Sequence, residues 1–234
     1  MLSVVMPAHN EEGLLDASVR DVAEALRARG HQFEIVIVEN GSTDATAEIS
    51  RRLAAEVPEV RALSLPDPDY GRALRTGFLD AAGDLVVIFD VDYYEFDFLD
   101  RAMAAVEGPD GPDIVIGSKR GEGSVDTRAW QRRLITTVFS SILRFGFGLK
   151  VSDTHGIKVV RRAPLKDVAA ACRYGTDLFD TELVLRAERA GLKVTEIPVL
   201  VEERRPSRSG IARRIPRTVY GLTRLRLALW RESR

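Results

Sequence analysis

The chain has 234 residues, 45% of them apolar and 29% charged, with a net charge of −1; this is an ordinary globular make-up with room for one full-sized domain, and it excludes a disordered or fibrous class. A single cysteine, Cys172, excludes a disulfide within the chain and fits a reducing compartment. No apolar run approaches the ~18 residues that span a bilayer, and the opening MLSVVMPAHN, which lacks a basic start and breaks at Pro7, does not read as a signal peptide.

Taken in chain order, residues 2–6 form a short apolar strand expected to stop at Pro7. A helix follows, with Leu15, Val19, Val22 and Leu26 at helical spacing, and ends near Gly30. Residues 33–38 are a second strand. Ser42 or Thr43 is placed to cap a second helix that carries Ile49 and Leu53. Residues 60–65 read as a third strand and residues 72–82 as a third helix closed by Gly83, before an apolar β-branched run that ends at Asp90. Beyond it, residues 113–116 form a strand leading into GSKR. Leu134, Ile135, Val138, Phe139, Ile142 and Leu143 make an apolar helix face, residues 182–190 a helix and residues 194–201 a strand. Strands alternating with helices imply an α/β fold, a mostly parallel sheet with helices on both faces. Ligands bind such sheets beyond the carboxyl ends of the strands, which points to residues 7–12, 39–44 and 90–92.

The stretch VVIFDVDYYEF, residues 86–96, places Asp90 and Asp92 one residue apart at the end of a buried-looking run. Strand alternation would put both carboxylates on one face. Two like charges that close repel unless something positive lies between them. A divalent cation, Mg²⁺ or Mn²⁺, is the simplest such charge, since hard cations take carboxylate oxygens. Two solvated turn residues are the plain alternative.

Seven segments in order then carry a resemblance: VVMPAHNEE, IVIVENGSTDAT, YGRALRTGFLDAAGDLVVIFDVD, VIGSKR, RRLITTVFSSIL, VSDTHGIKVVRR and FDTELVLRAERAGLKVTEIPV. Together they resemble the family 2 glycosyltransferases of GT-A fold, and within them the dolichyl- and polyprenyl-phosphate hexose synthases, from about Val4 to Pro206. The resemblance implies a Rossmann-like GT-A domain over residues 1–203, a nucleotide-sugar donor, and a divalent cation held by Asp90 and Asp92. The donor contacts it implies are Pro7, Ala8, Asn10 and Glu11, then Glu39 and Gly41, Gly71 and Arg72, Asp90, Val91 and Asp92, and Lys119. The chain departs from the family pattern at several of these places. Glu39-Asn40 stands where two aspartates are usual, Lys119 where an arginine is usual, and Tyr94 at a position that often supplies a third, amide contact to the metal. The loop from Asp153 to Gly156 is one residue short.

Inverting transfer needs a nucleophile opposite the leaving group. A hydroxyl acceptor needs a general base, and Asp153 is the candidate. A lipid phosphate, whose second pKa is about 6, needs positive charge instead. Arg120, Arg132 and Arg133, with Thr136 as a hydroxyl donor and Asp180 facing the pocket, are the acceptor-side candidates; the plain readings are an exposed helix start for the arginine pair and a helix cap for Asp180. Asp90, Asp92, Asp153 and Arg133 are thus the residues expected to carry the chemistry.

Residues 204–234 hold ten arginines against one acid, Glu232, a balance of +9 that leaves −10 on residues 1–203. Ile215, Val219, Leu222, Leu225 and Leu229 form a helical stripe flanked by arginines, with Trp230 at its end. Such a basic amphipathic helix lies on a membrane surface or packs on the domain. Arg208, in the Pro-Ser…Ser-Gly stretch before it, is placed to clamp a phosphate. The expectation is an inverting hexosyltransferase acting on a polyprenyl phosphate, peripheral on the cytoplasmic face of the membrane, with no nucleic-acid partner and with a homodimer among the assemblies it allows. Alternatives are the same donor chemistry on a soluble carbohydrate or metabolite hydroxyl, a nucleotidyltransferase, and a non-catalytic nucleotide-sugar-binding protein.

Overall fold

The computed structural model describes residues 1–118, 125–126, 130–152, 154–175, 178–201 and 211–232. In chain order the elements are β1 (Leu2–Ala8), α1 (Leu15–Ala28), β2 (Phe33–Asn40), α2 (Thr46–Glu56), β3 (Val60–Leu65), α3 (Tyr70–Asp80), β4 (Leu85–Ile88), α4 (Phe96–Glu107), β5 (Ile114–Ser118), β6 (Val125–Asp126), α5 (Trp130–Phe147), β7 (Lys158–Arg161), α6 (Arg162–Ala171), α7 (Phe179–Arg189), β8 (Val194–Pro198), β9 (Leu200–Val201) and α8 (Ile211–Glu232).

Seven strands form one sheet in the order β3-β2-β1-β4-β7-β5-β8. All neighbours run parallel except β7, which is antiparallel to both β4 and β5. A small second ladder pairs β6 with β9. The mostly parallel α/β sheet expected from the sequence is therefore what the chain forms. Its central strands β1 and β2 are buried along their whole length, as β-branched runs covered on both faces must be. Alternation then sends their side chains into two cores. Val4 and Met6 meet Leu15, Val19 and Val22 of α1 and Phe98 and Leu99 of α4 on one face. Val5 and Val38 meet Leu74 and Phe78 of α3, Leu165 of α6 and Leu183 of α7 on the other. The segments singled out from the sequence follow the carboxyl ends of β1, β2 and β4.

Pro7 does not stop β1, contrary to the sequence expectation. Leu2 N–H bonds Gln32 O toward β2, while Val5 O accepts Phe89 N–H toward β4. Odd-numbered residues of β1 therefore face β4, and β4 has ended by the level of Pro7. The donor that proline lacks would have had no partner. The cap of α2 also differs. No side chain caps at Ala45; Asp44 Oδ1 instead accepts from Thr46 N at 3.0 Å, and Ser42 and Thr43 are used to tie the first loop to the second. α4, α6 and β7 were not separated by sequence periodicity.

The C-terminal helix α8 is packed on the domain over its second half. Leu222, Leu225 and Leu229 lie in the core beside Leu178 and Phe179. Arg186 pairs with Glu232 at 2.7 Å and with Glu182 at 2.8 Å. Val219, Tyr220, Leu227 and Trp230 face outward. No helix among the described residues is long and apolar enough to cross a membrane.

Glu34, on β2, accepts from Ser3 Oγ at 2.6 Å, Ala82 N at 2.7 Å and Arg61 Nε at 2.8 Å. Burial alone would raise its carboxyl, but these donors hold it below the usual carboxylate range. A carboxyl depressed in the fold stabilises fully above its unfolded value of about 4.3 and loses that contribution as pH falls through the folded value. The melting temperature should therefore drop as pH falls below about 4, and the drop should be shallower in Glu34→Gln. Parallel Tm-versus-pH curves for the two chains would contradict the assignment.

Candidate active site

The first two strand ends build a rigid double loop. Asn10 takes φ 55, the left-handed region, the one non-glycine residue to do so among those described. Its N–H donates to Ser42 Oγ at 3.1 Å and its Oδ1 accepts from Thr43 N at 2.8 Å. Glu11 N donates to Thr46 Oγ1 at 2.7 Å. His9 Nδ1 lies 2.8 Å from Asn40 O, and Asn40 Nδ2 donates to Ala8 O at 3.0 Å. Gly41 has φ +61, and a Cβ there would stand 2.8 Å from the backbone of Asp67 and Pro68, so glycine is required.

Glu39 is buried, and both its oxygens already accept. Oε1 takes Ser42 N at 2.6 Å and Oε2 takes Ser64 Oγ at 2.6 Å. Burial pushes its carboxyl up, and the Ser64 and Ser42 hydrogen bonds more than reverse the push, keeping it ionised below its ordinary value. Its first role in this geometry is to hold the 39–42 turn.

Asp90 and Asp92 lie past the end of β4, which the sequence had carried through to Asp90. Asp90 N bonds Tyr93 O at 3.1 Å and Tyr93 N bonds Asp90 O at 3.2 Å, so the two aspartates belong to a four-residue turn and strand alternation does not relate them. Val91 between them is buried, and its carbonyl accepts from Ser18 Oγ at 2.8 Å. Tyr94 packs its ring against Phe89 and Phe96, centroids 6.1 and 5.7 Å apart.

Tyr70, the first residue of α3, ties the Asp90 turn to that helix. Its hydroxyl donates to Asp90 Oδ1 at 2.8 Å. Burial pushes the phenol well above its usual range, and the negative charges of Asp90, Asp180 and Asp92 push it the same way. Asp90 is the carboxylate that the hydroxyl touches. Gly71 and Ala73 of the same helix are buried, and Asp69 caps it by accepting from Arg72 N at 3.0 Å. Gly175 lies against Asp69, where a Cβ would come within 2.2 Å of Oδ2.

Asp180, at the start of α7, is buried and paired with Lys158 of β7 at 2.7 Å, and Lys158 Nζ also donates to Gly156 O at 2.8 Å. Both side chains are almost wholly inaccessible. Beside them Thr154 and Thr181 share a hydrogen bond of 3.0 Å. Asp180, expected on the acceptor side, is half of a buried ion pair.

Lys119, Arg120, Asp153 and Arg208 lie outside the described residues. Arg132, Arg133 and Thr136 fall in the first turns of α5, and their side chains also lie outside the description. Tyr70 and Lys158 were missed as site residues. The signals were present, a tyrosine directly before Gly71 at the helix start and a lysine opening the short strand KVVR, but each reads as ordinary without its partner.

The Asp90–Asp92 turn fits a hard divalent cation in donor type and charge, being all oxygen and negative. Among the described residues no group of three or more His, Cys, Asp or Glu is gathered to hold a metal. Two carboxylates suffice where phosphate oxygens and water complete the shell.

The sequence model described as glycosyl transferase family 2 matches residues 3–169. A dolichyl-phosphate hexose transferase of Haloferax volcanii is 30% identical over 206 residues, 87% of this chain and 83% of that protein. Glycosyltransferase AglD of the same organism is 30% identical over 203 residues, 85% of this chain; the chain spans only 32% of AglD's length. In structure the chain resembles glucosyl-3-phosphoglycerate synthase from Mycobacterium tuberculosis in complex with Mn²⁺, uridine diphosphate and phosphoglyceric acid, with a TM-score of 0.67, 23% identity, and 88% of this chain and 71% of that one covered. That likeness is one of fold, and the fold is GT-A.

Proposed function

The chain belongs to glycosyl transferase family 2, and from that premise we propose that it transfers a hexose, with inversion, from a nucleotide-sugar of the UDP-glucose or GDP-mannose type to a polyprenyl phosphate. The observation that carries the acceptor class is the likeness, along most of both chains, to a dolichyl-phosphate hexose transferase. The bond from the sugar's anomeric carbon to the donor β-phosphate breaks, a bond to an acceptor phosphate oxygen forms, and a nucleoside diphosphate leaves. A divalent cation at Asp90 and Asp92, when bound, would neutralise charge growing on the leaving diphosphate. The chain's own part is to hold the nucleoside on the loops of Pro7–Glu11 and Glu39–Gly41 and the diphosphate near Gly71 and Arg72. Lys119, Arg120, Arg132, Arg133 and Arg208 would supply positive charge, and Thr136 a hydrogen bond, where two anions must meet.

Asp180 supports a phosphate acceptor. Its pairing with Lys158 occupies that carboxylate, and an anionic nucleophile needs no base because it is already formed near neutral pH. The second reading, a soluble hydroxyl acceptor, draws on the fold shared with glucosyl-3-phosphoglycerate synthase and would make Asp153 the base. The two separate on one pair of variants. With a lipid phosphate acceptor at saturating donor, Arg133→Ala should lower kcat more than Asp153→Asn, whereas a true base would contribute about 10²- to 10⁴-fold. A much larger loss in Asp153→Asn would move the assignment to a hydroxyl acceptor.

A polyprenyl acceptor requires a visit to the membrane, and the tail carries the charge for it. Because Leu222, Leu225 and Leu229 are committed to the core, the lipid-facing residues would be the outward Val219, Tyr220, Leu227 and Trp230 with their neighbouring arginines. Anionic liposomes should sediment the chain, less so above 0.1 M salt, where the screening length falls below about 10 Å. Leu227→Ser with Trp230→Ser should weaken sedimentation without lowering Tm; equal sedimentation would remove the tail as the anchor.

A further inference from the structure

We propose that Tyr70 is a positioning residue for Asp90, fixing one carboxylate oxygen so that the other is presented to the divalent cation. The inference rests on the metal reading of Asp90 and Asp92 and adds a residue outside that pair.

The geometry is specific. Asp90 sits on a short turn, whereas Tyr70 sits on a braced helix. α3 is capped by Asp69, and it lies so close to the sheet that a Cβ on Gly77 would come within 2.4 Å of Val5. Arg75, one turn along, donates to the carbonyls of Ala169 and Ala170 at 3.1 and 2.8 Å, locking the helix to α6. The Tyr70 ring packs against the second core. Its hydroxyl therefore has a fixed position, and the 2.8 Å bond to Asp90 Oδ1 transmits it to a carboxylate that Asp92 would otherwise repel. The donor is neutral, so it orients Asp90 without cancelling the charge that attracts a cation. Partners that hold a ligating carboxylate in this way tune metal affinity, and their loss costs about 10- to 100-fold.

Mn²⁺ titration of the full chain, with free Mn²⁺ followed by electron paramagnetic resonance, tests this without any turnover. Three chains are compared: unaltered, Tyr70→Phe, and Arg75→Met as a control that loosens the same helix without touching Asp90. Tyr70→Phe should raise the Mn²⁺ Kd by about 10-fold or more, and Arg75→Met should leave it within twofold whatever its effect on Tm. An unchanged Kd in Tyr70→Phe, or an equal rise in both variants, would overturn the proposal. If the unaltered chain binds no Mn²⁺, the metal reading itself fails, and that outcome is distinct from a tight site indifferent to Tyr70.

Discussion

The Asp92→Asn chain should fold normally and lose nearly all of its Mn²⁺-supported donor binding and transfer. The substitution keeps the shape of the turn and removes one of the two charges at the end of β4. Asp92 is partly exposed and follows a buried Val91, so the change touches little of the core and Tm should hold. A bound divalent cation is worth several kcal/mol of transition-state charge stabilisation. At 1.36 kcal/mol per decade, that is a loss of about 10²- to 10³-fold in turnover or more. The measurement is kcat with and without Mn²⁺, with a thermal melt alongside. Full turnover of Asp92→Asn in the presence of EDTA would remove the metal assignment.

Lys158→Met should be among the most destabilising single changes in the molecule. It leaves Asp180 buried with its cation partner gone. Removing one member of a buried pair costs about 3–5 kcal/mol, whereas replacing both with apolar groups is often neutral. For a chain of this size each kcal/mol moves Tm by about 2–4 °C, so the melt should fall by roughly 6–20 °C. Adding Asp180→Leu to Lys158→Met should recover much of the loss, because no uncompensated charge is then left buried. A Lys158→Met chain that melts within a degree or two of the parent would show that the pair is not a buried ion pair.

Much of the fold could be read from residue patterns, and the reasons are physical. Buried parallel strands such as VVMPA and IVIVEN are continuous apolar runs, and Leu15, Val19, Val22 and Leu26 mark a helix with one buried face. Those signals are local. What stayed hidden depended on partners far along the chain. Pro7 could remain in β1 only because β4 ends early, a fact held some 80 residues away. Tyr70 reaches Asp90 across 20 residues and Lys158 reaches Asp180 across 22, and neither contact follows from spacing. The stripe on α8 was visible, but its period is the same whether the helix lies on lipid or on α7. Glu39 stands among the donor contacts that the resemblance implies, and its motif gave no sign that its two oxygens hold a turn. Side-chain identity pointed to the strand ends, and hydrogen-bond geometry shows which residues there hold others in place.

The most direct measurement is the fate of the sugar. The chain is incubated with Mn²⁺, a polyprenyl phosphate in detergent, and radiolabelled UDP-glucose or GDP-mannose, and the mixture is partitioned between organic solvent and water. The label is expected in the organic phase with at least one donor, released again into water by mild acid, which cleaves the anomeric phosphate ester, and absent there with Asp92→Asn. Label that remains in the water phase with both donors, or that enters a water-soluble acceptor supplied in parallel, would contradict a polyprenyl phosphate acceptor.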